Sequence, residues 1–157
     1  MALSITACQT DSYHSEIMQG IHAAGDTYKM ALISAAGTFT YDKNITNVGT
    51  PGSGTPSVSN LGTDEASGAG YTAGGATLAG FAVTIDSTNH VAMLTFTSPV
   101  QWTSATISAA GAIIYNSSKS NKVVCVLSFG GTITSTNGTF QVSLPAVAYN
   151  TALVRLS

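Results

Sequence analysis

Apolar residues recur at helical spacing near the start of the chain and with a period of two from Asp26 onward. Tyr13, Ile17, Met18 and Ile21 follow Asp11-Ser12, which offers an N-cap, and Glu16 stands where a helix dipole favours an acid. The spacing predicts one short N-terminal helix over 12–24, stopped by Gly25 and preceded by a strand from Met1 to Thr6. Tyr28 to Ile33 is an apolar run short enough for a buried strand, and Thr38 to Tyr41 forms a second extended piece.

The second half has the pattern of hairpins. Leu78 to Ile85 and His90 to Phe96 flank the turn-rich Asp86-Ser87-Thr88-Asn89, and Thr106 to Tyr115 and Lys122 to Phe129 flank 116–121. Gly131 to Ser135 and Thr139 to Leu144 flank Thr136-Asn137-Gly138, where Asn-Gly accepts the positive φ of a tight turn. Phe140, Val142 and Leu144 alternate with Gln141 and Ser143, so one face of that strand is wet. Val123 to Leu127 is apolar on both faces and predicts a central strand, and Thr151 to Leu156 closes the chain.

About eight short strands with mostly antiparallel connections predict a mainly β fold. The expected architecture is an antiparallel β-sandwich, jelly-roll-like, with one short N-terminal helix, built as a single domain over 1–157. Its expected core is Leu32, Phe81, Val83, Ile85, Leu94, Phe96, Ile113, Val123, Cys125, Leu127, Phe140, Val142 and Leu144.

A long Gly/Pro-rich loop over 46–75 interrupts this pattern. Fixing each backbone costs on the order of 1–2 kcal/mol, so a neighbouring subunit is expected to hold the loop as an assembly arm. Its glycine segment, Glu65 to Gly75, has one aromatic anchor, Tyr71, and the form of a shaped connection. Gly68, Gly70, Tyr71, Gly74, Gly75 and the distant Trp102 are the expected interaction residues.

Composition narrows the function. Charged residues make up 8% of the chain, against roughly a quarter in an ordinary soluble domain, and about forty Ser and Thr replace them. Such a surface is cheap to bury against another subunit, because few ions need desolvating. Lys29, Lys43, Lys119, Lys122 and Arg155 are scattered, which argues against a nucleic-acid partner, and the two lysines at the expected 116–121 tip are solubilising charges. No apolar run approaches the roughly 18–20 residues of a bilayer span and no signal-peptide pattern opens the chain, so neither a membrane partner nor export is expected. Cys125 lies in an apolar run as a small hydrophobe, and a disulfide framework with Cys8 is not expected.

Candidate chemistry is sparse. His14 and His22 are two turns apart on the expected helix, and His90 has no Cys or His close by, so no metal is expected. Asp64-Glu65 is an adjacent pair of loop carboxylates, expected to be solvated or N-cap-like loop charges, with cation binding as the alternative; side by side they do not face each other across a sugar. Ser67 lacks the Gly-x-Ser-x-Gly elbow, and Gly68-Ala69-Gly70-Tyr71 lacks a phosphate loop's Gly-Lys-Ser/Thr ending. Trp102 is expected in the core or a subunit interface, with sugar stacking as the alternative. Neither a catalytic residue nor a cofactor is expected, and the chain is expected not to be an enzyme.

Tyr28-Lys29-Met30-Ala31-Leu32-Ile33, then Gly70-Tyr71-Thr72-Ala73-Gly74-Gly75, Gly111-Ala112-Ile113-Ile114-Tyr115-Asn116 and Val154-Arg155-Leu156 occur in that order behind the short helix. As an ordered set spanning nearly the whole chain they resemble a group of small structural proteins of tailed bacteriophages from marine and freshwater bacteria. The resemblance implies a virion component, assembled in the host bacterial cytoplasm, and carries no catalytic residues. The expected role is a capsid decoration (cement) protein that forms a homo-oligomer on the major capsid protein. A neck, tail or fibre-associated subunit and a carbohydrate-binding receptor module are the alternatives.

Overall fold

The computed structural model describes residues 2–157, so Met1 of the expected opening strand lies outside the described residues. In chain order the elements are β1 (Ser4–Ile5), β2 (Cys8–Gln9), α1 (Asp11–Met18), β3 (Tyr28–Ser34), β4 (Thr40–Tyr41), β5 (Ala76–Thr77) and β6 (Ala82–Asp86), followed by β7 (Val91–Thr95), β8 (Val100–Asn116), β9 (Lys122–Val142) and β10 (Val154–Leu156). A five-stranded antiparallel sheet runs β2-β9-β8-β3-β5, a three-stranded one β10-β7-β6, and β1 pairs with β4 in parallel. The protein is mainly β and sandwich-like, with one α-helix among the described residues.

The five-stranded sheet is covered on both faces, because its central strands are apolar on both. On β3, Met30 and Leu32 point into one layer with Tyr13 of α1, Leu94 and Val154 of the smaller sheet, and Phe140. Ala31 and Ile33 point into the other, where Tyr41, Ile45, Val48 and Leu61 lie against Ile113 and Val123. At roughly 1.5–3 kcal/mol per buried aliphatic side chain, Ile45, Val48 and Leu61 anchor the segment around them. The loop over 46–75 is therefore a wall of the protein's own core, and the expected need for a neighbouring subunit to hold it does not arise.

The helix differs from its expected bounds. Its N-cap is Thr10, whose hydroxyl accepts from the Tyr13 N–H at 3.3 Å and donates to the Val123 carbonyl at 3.1 Å, so the cap is also fastened to β9. The chain leaves the helix at Gln19 and Gly20, the latter at φ 68°, with Gly20 N–H on the Ile17 carbonyl and Ile21 N–H on that of Glu16. This is a Schellman closure five residues ahead of Gly25. Glu16 lies beyond the first turn and is buried.

Two strand expectations also change. The Asn137-Gly138 pair makes no hairpin: β9 runs straight through it, and Gly138 pairs with Ala105. The positive φ of Asn137, 49°, is absorbed by a bulge, its N–H bonding the Thr106 hydroxyl at 3.0 Å, because β8 continues as a paired partner past this point. Val83 and Ile85 are 57% and 76% exposed rather than core, since β6 is an edge strand; Phe81 and Leu127 are partly buried.

Candidate functional site

Asp64 and Glu65 are buried, at 3% and 7% exposure, not solvated. Asp64 accepts from the backbone N–H of Thr38 and of Phe39, both at 2.8 Å, and from the Tyr41 hydroxyl at 3.0 Å. Glu65 accepts from Gly52 N–H at 2.6 Å, Gly74 N–H at 2.5 Å and the Tyr71 hydroxyl at 2.7 Å. Adjacent carboxylates thus serve two separate stretches of backbone. A charge-assisted hydrogen bond is about twice as strong as a neutral one, and four on Asp64, counting the Thr38 hydroxyl at 3.3 Å, and three on Glu65 compensate their burial.

Tyr71 extends this network to the sheet. Its oxygen accepts from Leu32 N–H at 3.0 Å, while the Leu32 carbonyl accepts from Ala66 N–H at 2.8 Å, so the loop closes the β3 edge beyond β5. Burial first, and then the Glu65 charge, hold the Tyr71 hydroxyl well above its ordinary value. Tyr41 is raised in the same way by burial and Asp64, and Tyr115, which donates to the Gly74 carbonyl at 2.8 Å, is pushed up to about 12 by burial and Glu65.

The expected interaction residues do converge, but on the protein's own strands. A Cβ on Gly68 would stand 2.1 Å from the Thr106 carbonyl oxygen, and one on Gly75 would stand 1.8 Å from that of Met30. A Cβ on Gly70 would stand 2.8 Å from the Ala105 Cα, and Gly74 is buried beside the Tyr115 hydroxyl. Trp102 is 6% exposed, its ring 6.1 Å from that of Tyr71 and 6.0 Å from that of Phe140. The glycines permit close backbone approach, and Tyr71 and Trp102 fill the space beneath. A cleft of about 350 Å³ opens beside Glu65, Ser67 and Tyr71, but the carboxylate at its base is spent on the loop.

A second polar cluster joins α1 to the β8–β9 tip. Lys122 Nζ lies 2.6 Å from Glu16 Oε1, so this lysine balances a buried acid and is not merely solubilising. His22, beyond the helix end, bonds Glu16 Oε2 at 2.8 Å and the Asn116 amide at 3.2 Å, and Asn116 also donates to Asp26 at 2.8 Å. Among the described residues no three His, Cys, Asp or Glu side chains are placed to hold a metal ion, and no helix is long and apolar enough to cross a membrane. Sequence reasoning missed the part played by Asp64, Glu65, Glu16 and Asn116. One signal was present: a chain with seven acids places two adjacent ones in its most glycine-rich stretch.

The outer face of the β8–β9 ribbon is polar and carries no ions. Gln101, Thr103, Ser108, Thr134, Thr139 and Gln141 are all exposed on it, and Gln101 Nε2 bonds Gln141 Oε1 at 2.8 Å across the strands. No ionisable side chain other than His90, Tyr115, Lys119, Lys122, Cys125 and Tyr149 occurs between 87 and 154. The class these features define is a mainly β, sandwich-like protein whose buried loop carboxylates are spent on its own backbone and whose exposed strands are nearly free of charge. No known protein family, characterised protein or solved structure matches the chain.

Proposed function

We propose that the chain is a non-enzymatic structural protein of a tailed-bacteriophage virion, a capsid decoration protein that sits on the head and braces neighbouring capsomers. The observation that carries this reading is the ion-free ribbon face, a surface that can be covered by protein with few charges to desolvate. The virion context comes from the resemblance of the ordered motif set to small structural proteins of tailed phages. Repetition on a shell then adds many weak contacts, so modest individual affinity suffices. The receptor-module alternative loses its anchor, since Trp102 has no open face on which a sugar could stack.

Quantitative mass spectrometry of purified virions tests the reading. A decoration protein appears in the numbers that capsomers offer, whereas a neck or tail subunit appears in the few copies set by a portal or tail ring. Absence from the particle overturns a virion role altogether.

A further inference from the structure

The two outer edges of the three-stranded sheet are finished differently. At β10 the Arg155 carbonyl accepts from Gln9 Nε2 at 2.9 Å, so that edge is closed onto β2 of the larger sheet. At β6 the sheet simply ends, and Ala82, Val83, Thr84 and Ile85 are all exposed. Natural edge strands are blunted by Lys, Pro or bulges, because their unpaired N–H and C=O groups otherwise template pairing with another chain. β6 has none of these: its register with β7 is unbroken from Ala82↔Thr95 to Asp86↔Val91. The β8–β9 ribbon, by contrast, is interrupted by several register shifts.

We propose that β6 is a self-association strand, pairing antiparallel with β6 of a second copy about a twofold axis centred on Thr84. The strand's own side chains favour this occupant. In that register Val83 meets Ile85 of the second copy and Ile85 meets its Val83, so both exposed branched residues gain a cross-strand apolar neighbour. Charge fits as well. Asp86 is the one Asp, Glu, Lys or Arg between 78 and 99, and it falls opposite Ala82 of the second copy, away from its own twin. Its carboxylate is turned into its own loop, accepting from Thr88 and Asn89 N–H at 3.0 Å and from the Asn89 amide at 2.8 Å. An acidic partner strand would meet Asp86 and no counter-ion along this edge, whereas a copy of the same strand keeps the two Asp86 carboxylates at opposite ends of the pairing.

The pairing joins two three-stranded sheets into one. It also joins two apolar grooves of about 170 Å³, each walled by Tyr13 and Ile17 of α1 and floored by Leu94 and Val154. The interface is isologous and closes on itself, the commonest form of homo-oligomer. It goes beyond the virion reading and does not rest on it.

Analytical ultracentrifugation of the full chain over a concentration series tests the pairing without particles. The wild type moves from the mass of one chain to that of two as concentration rises, and its 82–86 amides become protected from hydrogen exchange in step. Ile85→Lys stays at the mass of one chain with an unchanged melting temperature, as suits a substitution at a 76% exposed position. Ile133→Lys, at a 47% exposed position on β9, dimerises like the wild type. A wild type that remains one chain, or an Ile85→Lys protein that still dimerises, overturns the proposal. Particle composition is scored separately, so failure of the pairing and failure of the virion role are told apart.

Discussion

Gly75 stands at φ 72°, and a methyl group there would lie 1.8 Å from the Met30 carbonyl oxygen, a backbone atom of a central strand that cannot step aside. Gly75→Ala should therefore destabilise by several kcal/mol, on the order of 3–5, in chemical denaturation. Gly131→Ala, where a Cβ would meet nothing within 4 Å, should cost less than about 0.5 kcal/mol. Equal effects would mean that the glycine segment does not lie against β3. The buried tyrosines set an alkaline limit by the same local physics. Burial holds the hydroxyls of Tyr13, Tyr41 and Tyr71 well above their ordinary value, and pushes those of Tyr28 and Tyr115 up to about 12. Below about pH 10 both folded and unfolded chains keep these protons, and the contribution to stability is fully present. Above it the unfolded chain releases protons that the fold retains, so stability falls as pH rises. Tyrosinate absorbance from these five should appear together with loss of β-sheet circular dichroism; appearance while the fold persists would contradict their burial.

At the scale of elements, legibility followed the range of the forces involved. Tyr28–Ser34 as a buried strand, the alternation at 140–144 and the two-sided apolar run at 123–127 depend on side-chain period, and each is present in the structure. Val123 and Val126 lie in one hydrophobic layer and Val124 and Cys125 in the other, which is what an apolar run between two covered faces requires. Elements decided by distant partners were not legible. Asn137-Gly138 has the local chemistry of a turn, yet β8 pairs across it, and α1 takes its N-cap from Thr10, whose hydroxyl is tied to β9. Gly68, Gly70 and Gly75 were expected to serve an interaction, but each lies against the backbone of β3 or β8, which no local pattern discloses. Val126→Asp should bury an unpaired carboxylate at a 1% exposed position and cost several kcal/mol, enough to leave little folded protein. Ser143→Asp, at an exposed position, should melt close to the wild type. A soluble Val126→Asp protein with normal melting would place that strand outside the core.

For the whole molecule, the division of labour between inside and outside carries the functional argument. Buried acids organise loops, the glycines allow the loop to lie flat on the sheet, and the outward strands carry hydroxyls, amides and few ions. A domain built in this way has its own stability and offers neutral faces to neighbours, which suits a brace added to a shell that has already assembled. The most direct measurement is the temperature at which purified phage heads release their DNA, compared between particles made without this protein and the same particles after it is added back. The account predicts release at a lower temperature when the protein is missing and recovery when it returns. Identical release temperatures, with the added protein remaining unbound, would contradict it.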